Sequence, residues 1–239
     1  MQDKRPLLLG MTPAELEQLV QDLGEQRFRA QQVTEWIYQK GAASFDEMSN
    51  LSLALREKLN NETSIGTLRT VVKQQSHRDP VTKLLLELPD GQRVESVLMR
   101  YNYGNSVCVS SQVGCKMGCG FCASGLSGFT RNLTAGEMVG QVLAMYREIG
   151  QRISHIVLMG MGEPLDNYDE VIKFMAIANA PWGLGIGYRH IALSTCGIVP
   201  RIRDLAKEGI PINLSVSLHA PNDEIRRRLM PISQRYPIN

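Results

Sequence analysis

The 239-residue sequence is 43% hydrophobic, a globular composition that excludes fibrous and low-complexity classes. Its formal net charge of +2 permits a nucleic-acid partner without indicating one. Its five cysteines are odd in number and mostly clustered, which argues against a secreted disulfide framework. The sequence shows neither a signal peptide nor an apolar run near the ~20 residues of a membrane span, and we expect a protein of the reducing cytoplasm.

The first 65 residues predict a small helical unit. Thr12 and Glu15 form a capping-box pattern, with Pro13 at the first helical position. Apolar residues recur at helical spacing as far as Leu59, and we interpret them as packing between helices. We therefore assign 1–65 to a helical accessory domain.

A β-hairpin is predicted next, in a connecting region over 66–100. Two apolar stretches, 83–88 and 93–99, flank the turn signal Pro89-Asp90-Gly91-Gln92. Glu95 lies in the second stretch, and its residue type alone indicates an exposed carboxylate on a strand.

From residue 101 onward, short apolar stretches alternate with helical patterns. Strands are predicted to begin near Ser106, His155, His190 and Ile212, which favours parallel strands joined by right-handed crossovers. Four such units are fewer than the eight of a closed barrel. We therefore predict an α/β fold with a partial (β/α) barrel over 101–239.

Three cysteines follow the first strand of this barrel with the spacing C-x3-C-x2-C: Cys115, Cys119 and Cys122. Three thiolates on one loop can bind three irons of a four-iron cluster, which leaves the fourth iron open. A metal site that is one ligand short is suited to binding substrate. A structural zinc site is the alternative, although its usual second cysteine or histidine pair is missing here. A disulfide between two of these cysteines is a weaker alternative.

The ends of the other predicted strands also carry polar or glycine-rich residues. Gly162 and Glu163 follow the second strand, Ser194 ends the third, and Ser217 ends the fourth. In a β/α barrel these ends face one site. Glu163 is a suitable partner for a ligand ammonium group, because a carboxylate forms charge-assisted hydrogen bonds.

The cysteine loop together with Gly-Glu-Pro resembles the radical S-adenosylmethionine (SAM) superfamily. More extended matches resemble one family within it, the dual-specificity RNA methyltransferases that methylate carbon 2 of adenine. Five stretches carry this resemblance: 107–115 (VCVSSQVGC), 131–134 (RNLT), 160–167 (GMGEPLDN), 194–197 (STCG) and 217–222 (SLHAPN).

The resemblance implies a role for each matching residue. A [4Fe–4S] cluster is held by Cys115, Cys119 and Cys122. The proton-accepting carboxylate is Glu95, and Cys108 resolves a protein–RNA intermediate. The SAM site is lined by Gly162, Glu163, Ser194, Ser217, Leu218 and His219.

The implied activity is methylation of adenine carbon 2 in 23S ribosomal RNA and in transfer RNA. Two SAM molecules are used per turnover, and a methyl-cysteine leads to a covalent protein–RNA intermediate that is released when a second thiol forms a disulfide. The implied partners are these RNAs and an electron donor such as flavodoxin, and we expect a monomer.

The family's methyl-carrying cysteine matches no residue up to Asn239. Cys108 matches the other role, and Cys196 lies at a strand end where a buried thiol is the ordinary expectation. We therefore expect a chain ending here to lack the family's C-terminal segment and to assemble a cluster without transferring methyl groups to RNA.

Two other functions stay open: methylation of adenine carbon 8 in ribosomal RNA, which confers antibiotic resistance, and a non-catalytic iron–sulfur RNA-binding protein. Among basic residues, Arg131 is the preferred RNA contact by position. The run Arg226-Arg227-Arg228 is as consistent with a solvated face as with phosphate contact.

Overall fold

The computed structural model describes residues 5–126 and 128–238, and its N-terminal part is helical, as predicted. The expected capping box is present, because the Glu15 N–H donates to Thr12 Oγ1 at 3.3 Å and the Thr12 N–H donates to Glu15 Oε2 at 2.6 Å. The helical elements before residue 65 are α1 (Pro13–Asp22), α2 (Phe28–Thr34), a π-helical turn (Glu35–Gln39), a 3-10 turn (Phe45–Glu47) and α3 (Leu53–Glu62).

The described part of the chain then builds one seven-stranded sheet and one two-stranded ladder. The strands are β1 (Arg69–Gln75), β2 (Val81–Glu87), β3 (Arg93–Tyr101), β4 (Gly104–Cys108), β5 (Gln112–Gly114), β6 (Phe129–Asn132), β7 (Ile153–Leu158), β8 (Ile191–Thr195) and β9 (Asn213–Val216). The large sheet has the order β1-β2-β3-β4-β7-β8-β9, and β5 pairs with β6. Strands β1 to β4 are antiparallel, whereas β4, β7, β8 and β9 are parallel.

The parallel half confirms the predicted partial barrel. Its crossovers are helical: α5 (Ala135–Ile149), α6 (Tyr168–Asn179) and α7 (Val199–Lys207). Two short helices, α4 (Ala123–Leu126) and α8 (Asp223–Leu229), follow the cysteine loop and β9. The start of α8 is capped by Asn222, whose Oδ1 accepts a 3.0 Å hydrogen bond from the Ile225 N–H.

Two strand predictions were incomplete. Strand β1, which pairs with β2, has the sequence RTVVKQQ and is almost entirely exposed, so it lacks the apolar alternation that reveals a strand. The strand predicted to begin near Ser106 ends at Cys108, and Gln112 begins a separate short strand, β5, before the cysteine loop. The hairpin region is therefore part of the same sheet as the barrel strands, while the boundaries 1–65, 66–100 and 101–239 remain a prediction.

The register of the sheet divides its residues between two faces. Val97 lies opposite Cys108, Cys108 opposite Val157, and Val157 opposite Ala192. Because side chains alternate along a strand, Glu95 and Ser194 share the face of Cys108. The opposite face carries core residues, which include Leu84, Leu98, Val107, Ile156, Leu158 and Leu193.

The N-terminal unit packs against the start of α5 through two glycines. A Cβ on Gly136 would lie 2.1 Å from the Leu9 carbonyl oxygen, and a Cβ on Gly10 would lie 2.7 Å from the Gly136 nitrogen. The backbones of the two segments therefore approach more closely than side chains would permit. Across residues 5–126 and 128–238, no helix combines the length and apolar character required to cross a membrane.

Candidate functional site

The cysteine loop lies between β5 and α4, and its backbone is fixed from two directions. The Cys115 N–H donates to the Gly128 carbonyl at 2.9 Å, and the Gly120 N–H donates to the Leu229 carbonyl at 2.8 Å. Gly114 has a φ of +75°, and a Cβ there would lie 1.8 Å from the Gly128 oxygen. Only glycine satisfies both demands, so Gly114 and these two hydrogen bonds fix the shape of the loop.

The three loop cysteines line one cavity of about 260 Å³ together with the ends of the barrel strands. Predicted residues from three other segments share this cavity: Gly162, Glu163, Ser194 and Ser217. The remaining lining residues are Met117, Phe121, Leu158, Met159, Gly160, Thr195, Cys196 and Met230. The fold therefore brings the predicted cluster ligands and most of the predicted SAM-site residues to one place.

Glu163 is held rigidly at the wall of this cavity. Its side chain is 3% exposed. Oε1 accepts hydrogen bonds from the Thr195 hydroxyl at 2.7 Å and the Leu165 N–H at 3.0 Å, and Oε2 accepts one from the Cys196 N–H at 2.7 Å. No lysine or arginine among the described residues forms an ion pair with it. A buried carboxylate without a cationic partner is costly, so a bound cation is the natural complement to Glu163.

The loop thiols experience the same excess of negative charge. Burial raises the pKa of Cys115, and the charges of Glu163, Cys122 and Asp166 raise it further. Burial also raises the pKa of Cys119, with contributions from Cys115, Cys122 and Glu163. Thiols of this kind become thiolates when a metal binds, because the metal replaces the protons.

This donor set fits a four-iron cluster with one open iron. Among the described residues, no three Cys, His, Asp or Glu side chains converge closely enough to hold a single ion, whereas a cluster takes each thiolate on a different iron. Cys196 is a fourth thiol in the cavity. Burial and the neighbouring Glu163 carboxylate raise the pKa of the Cys196 thiol, as they do for Cys115 and Cys119, and Cys196 lies outside the C-x3-C-x2-C loop.

Two of the other predicted SAM-site residues, Ser194 and Ser217, line the cavity, whereas Leu218 and His219 do not. The Ser194 and Ser217 hydroxyl oxygens are 3.4 Å apart, within hydrogen-bonding distance. His219 has a φ of +55°, rare for a residue other than glycine, and its ring contacts Phe121 of the cysteine loop edge-on at 4.6 Å. Leu218 is exposed.

Glu95 and Cys108 lie outside the cavity, on the same face of the sheet. Glu95 is about half exposed, and Lys83 Nζ lies 2.8 Å from its Oε1, so the exposure expected from its residue type is confirmed. Cys108 is partly buried, and burial raises the pKa of its thiol. All five cysteines are free, so the disulfide implied as a reaction step is not formed in this structure.

Two arginines have roles that their sequence positions did not reveal. Arg131, the preferred RNA contact, forms a bidentate ion pair with Glu137 at 2.7 and 2.8 Å and a third bond to Asp90 at 2.7 Å, and its contact with RNA stays a prediction. Arg226 is 4% exposed rather than solvated. Its guanidinium donates to the carbonyls of Cys196 at 2.8 Å and Ser217 at 3.3 Å, and so joins the ends of β8 and β9.

Gln112 is a further site residue that the sequence did not reveal. Its side chain is fully buried, with Oε1 accepting a 2.9 Å bond from the Glu163 N–H and Nε2 donating to Asp166 at 2.7 Å. It thereby connects the strand before the cysteine loop to the loop of Glu163. Gln112 lies within the stretch 107–115 that carries the family resemblance, and this was the one sequence feature that could have indicated a role in the site.

Comparison with known proteins gives two family matches. Residues 7–65 match the ribosomal RNA large subunit methyltransferase N-terminal domain, and residues 109–236 match the radical SAM superfamily. A solved radical SAM methyltransferase from Sphaerobacter thermophilus has a TM-score of 0.92 and 44% identity, covering 98% of this chain and 69% of that one.

Curated relatives agree with these matches. A probable dual-specificity RNA methyltransferase RlmN from Desulforamulus reducens is 54% identical over 97% of this chain and 66% of its own length. The corresponding protein from Clostridium perfringens is 51% identical over 97% of this chain and 67% of its own length. The chain thus spans about two thirds of the length of these relatives. The chain belongs to the RlmN family of the radical SAM superfamily, whose cofactors are a [4Fe–4S] cluster and SAM.

Proposed function

We propose that this chain acts in a radical SAM RNA methyltransferase that adds a methyl group to carbon 2 of adenine in 23S ribosomal RNA and in transfer RNA. The observation that carries the proposal is the shared cavity, in which the three loop cysteines face the buried Glu163. The names of the relatives, dual-specificity RNA methyltransferases, supply the reaction and the substrate class.

Cys115, Cys119 and Cys122 hold the cluster, and Glu163 binds the ammonium group of SAM. A cluster held by these three cysteines would supply the single electron needed for reductive cleavage of SAM. Glu163 orients SAM, because three hydrogen bonds fix its carboxylate before any ligand arrives. The rest of the SAM site is formed by Gly162, Ser194, Ser217, Leu218 and His219.

Glu95 accepts the proton of adenine carbon 2, and Cys108 resolves the covalent RNA intermediate. The strand register supports this pairing, because Val97 lies opposite Cys108 and alternation along β3 places Glu95 on the same face. Lys83 holds the Glu95 carboxylate in place through its 2.8 Å ion pair. Cys108 then needs activation by a base at the time of reaction, because burial disfavours its thiolate.

The cellular setting follows from this chemistry. Two SAM molecules are consumed per methyl transfer, and electrons come from a donor such as flavodoxin. The protein works as a monomer in the cytoplasm, where thiols stay reduced. The disulfide formed with Cys108 is transient and is reduced before the next turnover.

The test is to incubate the reconstituted protein anaerobically with SAM, dithionite and ribosomal or transfer RNA, and to measure two products by mass spectrometry. We expect 5′-deoxyadenosine, and 2-methyladenosine in RNA when the family's methyl-carrying cysteine is available. Formation of 8-methyladenosine would assign the carbon-8 reaction instead. Absence of 5′-deoxyadenosine from cluster-loaded protein would contradict radical chemistry and favour a non-catalytic RNA-binding role.

A further inference from the structure

One ion pair joins the cysteine loop to the loop of Glu163. Lys116 follows Cys115 directly, and its Nζ lies 2.9 Å from Oδ2 of Asp166. Asp166 lies three residues beyond Glu163, in a 3-10 turn (Pro164–Asn167). The pair therefore connects the segment that holds the cluster to the segment that holds SAM in the function proposed above.

Asp166 is fixed by a second contact. The same oxygen, Oδ2, accepts a 2.7 Å hydrogen bond from Nε2 of Gln112, whose Oε1 accepts from the Glu163 N–H at 2.9 Å. Gln112 is fully buried, so this chain of contacts has little freedom to rearrange. Lys116 is the more exposed partner, because about half of its side chain is open to solvent.

The charges of the pair lie close to the cluster ligands. Asp166 is 17% exposed, and its carboxylate is one of the negative charges that act on the Cys115 thiol. Lys116 neutralises this charge locally. At a partly buried position such charges are less screened by salt than charges on the open surface.

We propose that Lys116 and Asp166 are a charge-balancing pair that sets the reduction potential of the cluster and holds the cysteine loop against the Glu163 loop. The proposal rests on the cluster assignment made above. Reduction adds one negative charge to the cluster, so nearby positive charge favours it and nearby negative charge opposes it. Both residues are positioning residues, since neither lines the cavity.

The test is an EPR-monitored redox titration of the loaded protein. K116M should lower the midpoint potential, because it leaves the Asp166 charge uncompensated. D166N should raise it, because it leaves the Lys116 charge uncompensated, and the double variant should return close to the wild-type value. Each single shift should shrink as ionic strength rises.

A matched control is K173M. Lys173 forms an ion pair with Glu15 of the N-terminal unit, in which both side chains are exposed, so the removal of Lys173 should leave the potential unchanged. If D166N does not retain a cluster, the lower potential of K116M is still required. Single variants that leave the potential unchanged, or that both move it in one direction, would overturn the proposal. A wild-type protein that binds no four-iron cluster would instead contradict the proposed function.

Discussion

The hydroxyl of Thr195 donates a 2.7 Å hydrogen bond to Oε1 of Glu163, and both side chains are almost fully buried. This bond orients the carboxylate toward the cavity from the end of β8. T195V keeps the side-chain shape and removes the donor. We expect it to weaken SAM binding by about tenfold, the effect of one hydrogen bond to a charged group, as measured by equilibrium dialysis with loaded protein. T195S, which keeps the hydroxyl, should bind within about threefold of wild type; equal affinities for T195V and wild type would contradict this role.

Arg226 stabilises the carboxyl ends of β8 and β9 through hydrogen bonds to their carbonyl groups. Besides Cys196 and Ser217, its guanidinium donates to the Tyr236 carbonyl at 3.2 Å. R226M should lower the free energy of unfolding by about 3 kcal/mol, because one buried and two partly buried hydrogen bonds to carbonyls are lost. Urea denaturation measures this change. R227M, at an exposed neighbouring position, is the matched control and should stay within about 0.5 kcal/mol of wild type; similar losses in both variants would refute the assignment.

Arg131 is predicted to act in stability rather than in phosphate binding. Glu137 is 7% exposed and depends on Arg131 for charge compensation. R131M should therefore lower the free energy of unfolding by about 3 kcal/mol, the usual cost of stranding a buried charge. The double variant R131M/E137Q should recover part of this loss, because it removes the stranded charge as well. A fully stable R131M protein with weakened RNA binding would restore the phosphate-contact interpretation.

His155 should make stability depend on pH. Its Nε2 lies 2.9 Å from Nδ1 of His190, and burial, with a contribution from His190, lowers the pKa of His155 below 6.5. The unfolded chain therefore binds this proton more readily, so stability is complete above about pH 6.5 and decreases as the pH falls toward the folded-state pKa. H155Q should flatten the dependence of melting temperature on pH between about 7.5 and 5.5. The control H77Q, at an exposed turn, should keep the wild-type slope, and an unchanged slope in H155Q would contradict the prediction.

The parts of the fold that could be predicted from the sequence are those that are determined by residues close together in the chain. The capping box of Thr12 and Glu15 acts over three residues, and the spacing of the cysteines already specifies a loop. The burial of Arg226 could not be predicted, because its contact with the Cys196 carbonyl comes from a residue 30 positions away. The Asp90 contact of Arg131 likewise comes from 41 positions away, and an RNA contact at Arg131 stays a prediction. Basic residue type alone cannot distinguish a buried ion pair from a solvated face.

In the candidate site, too, some residues could be proposed from the sequence, whereas their contacts depend on other strands. Glu163 could be proposed from its place after a strand, yet its fixed orientation depends on Thr195 and Cys196, which are supplied by the next strand of the sheet. The common face of Glu95 and Cys108 follows from strand register, which a single sequence does not determine when strand ends are misplaced by a few residues. Their catalytic roles remain predictions.

We expect Cys115, Cys119 and Cys122 to be the only cysteines that hold a four-iron cluster. Anaerobic reconstitution of five single cysteine-to-alanine variants tests this, followed by iron and sulfide analysis and EPR of the reduced protein. We predict that C115A, C119A and C122A lose the cluster, whereas C108A and C196A retain wild-type iron content and a signal that changes when SAM is added. Loss of the cluster in C196A, or its full retention in any of the three loop variants, would contradict a cluster site made of these three cysteines.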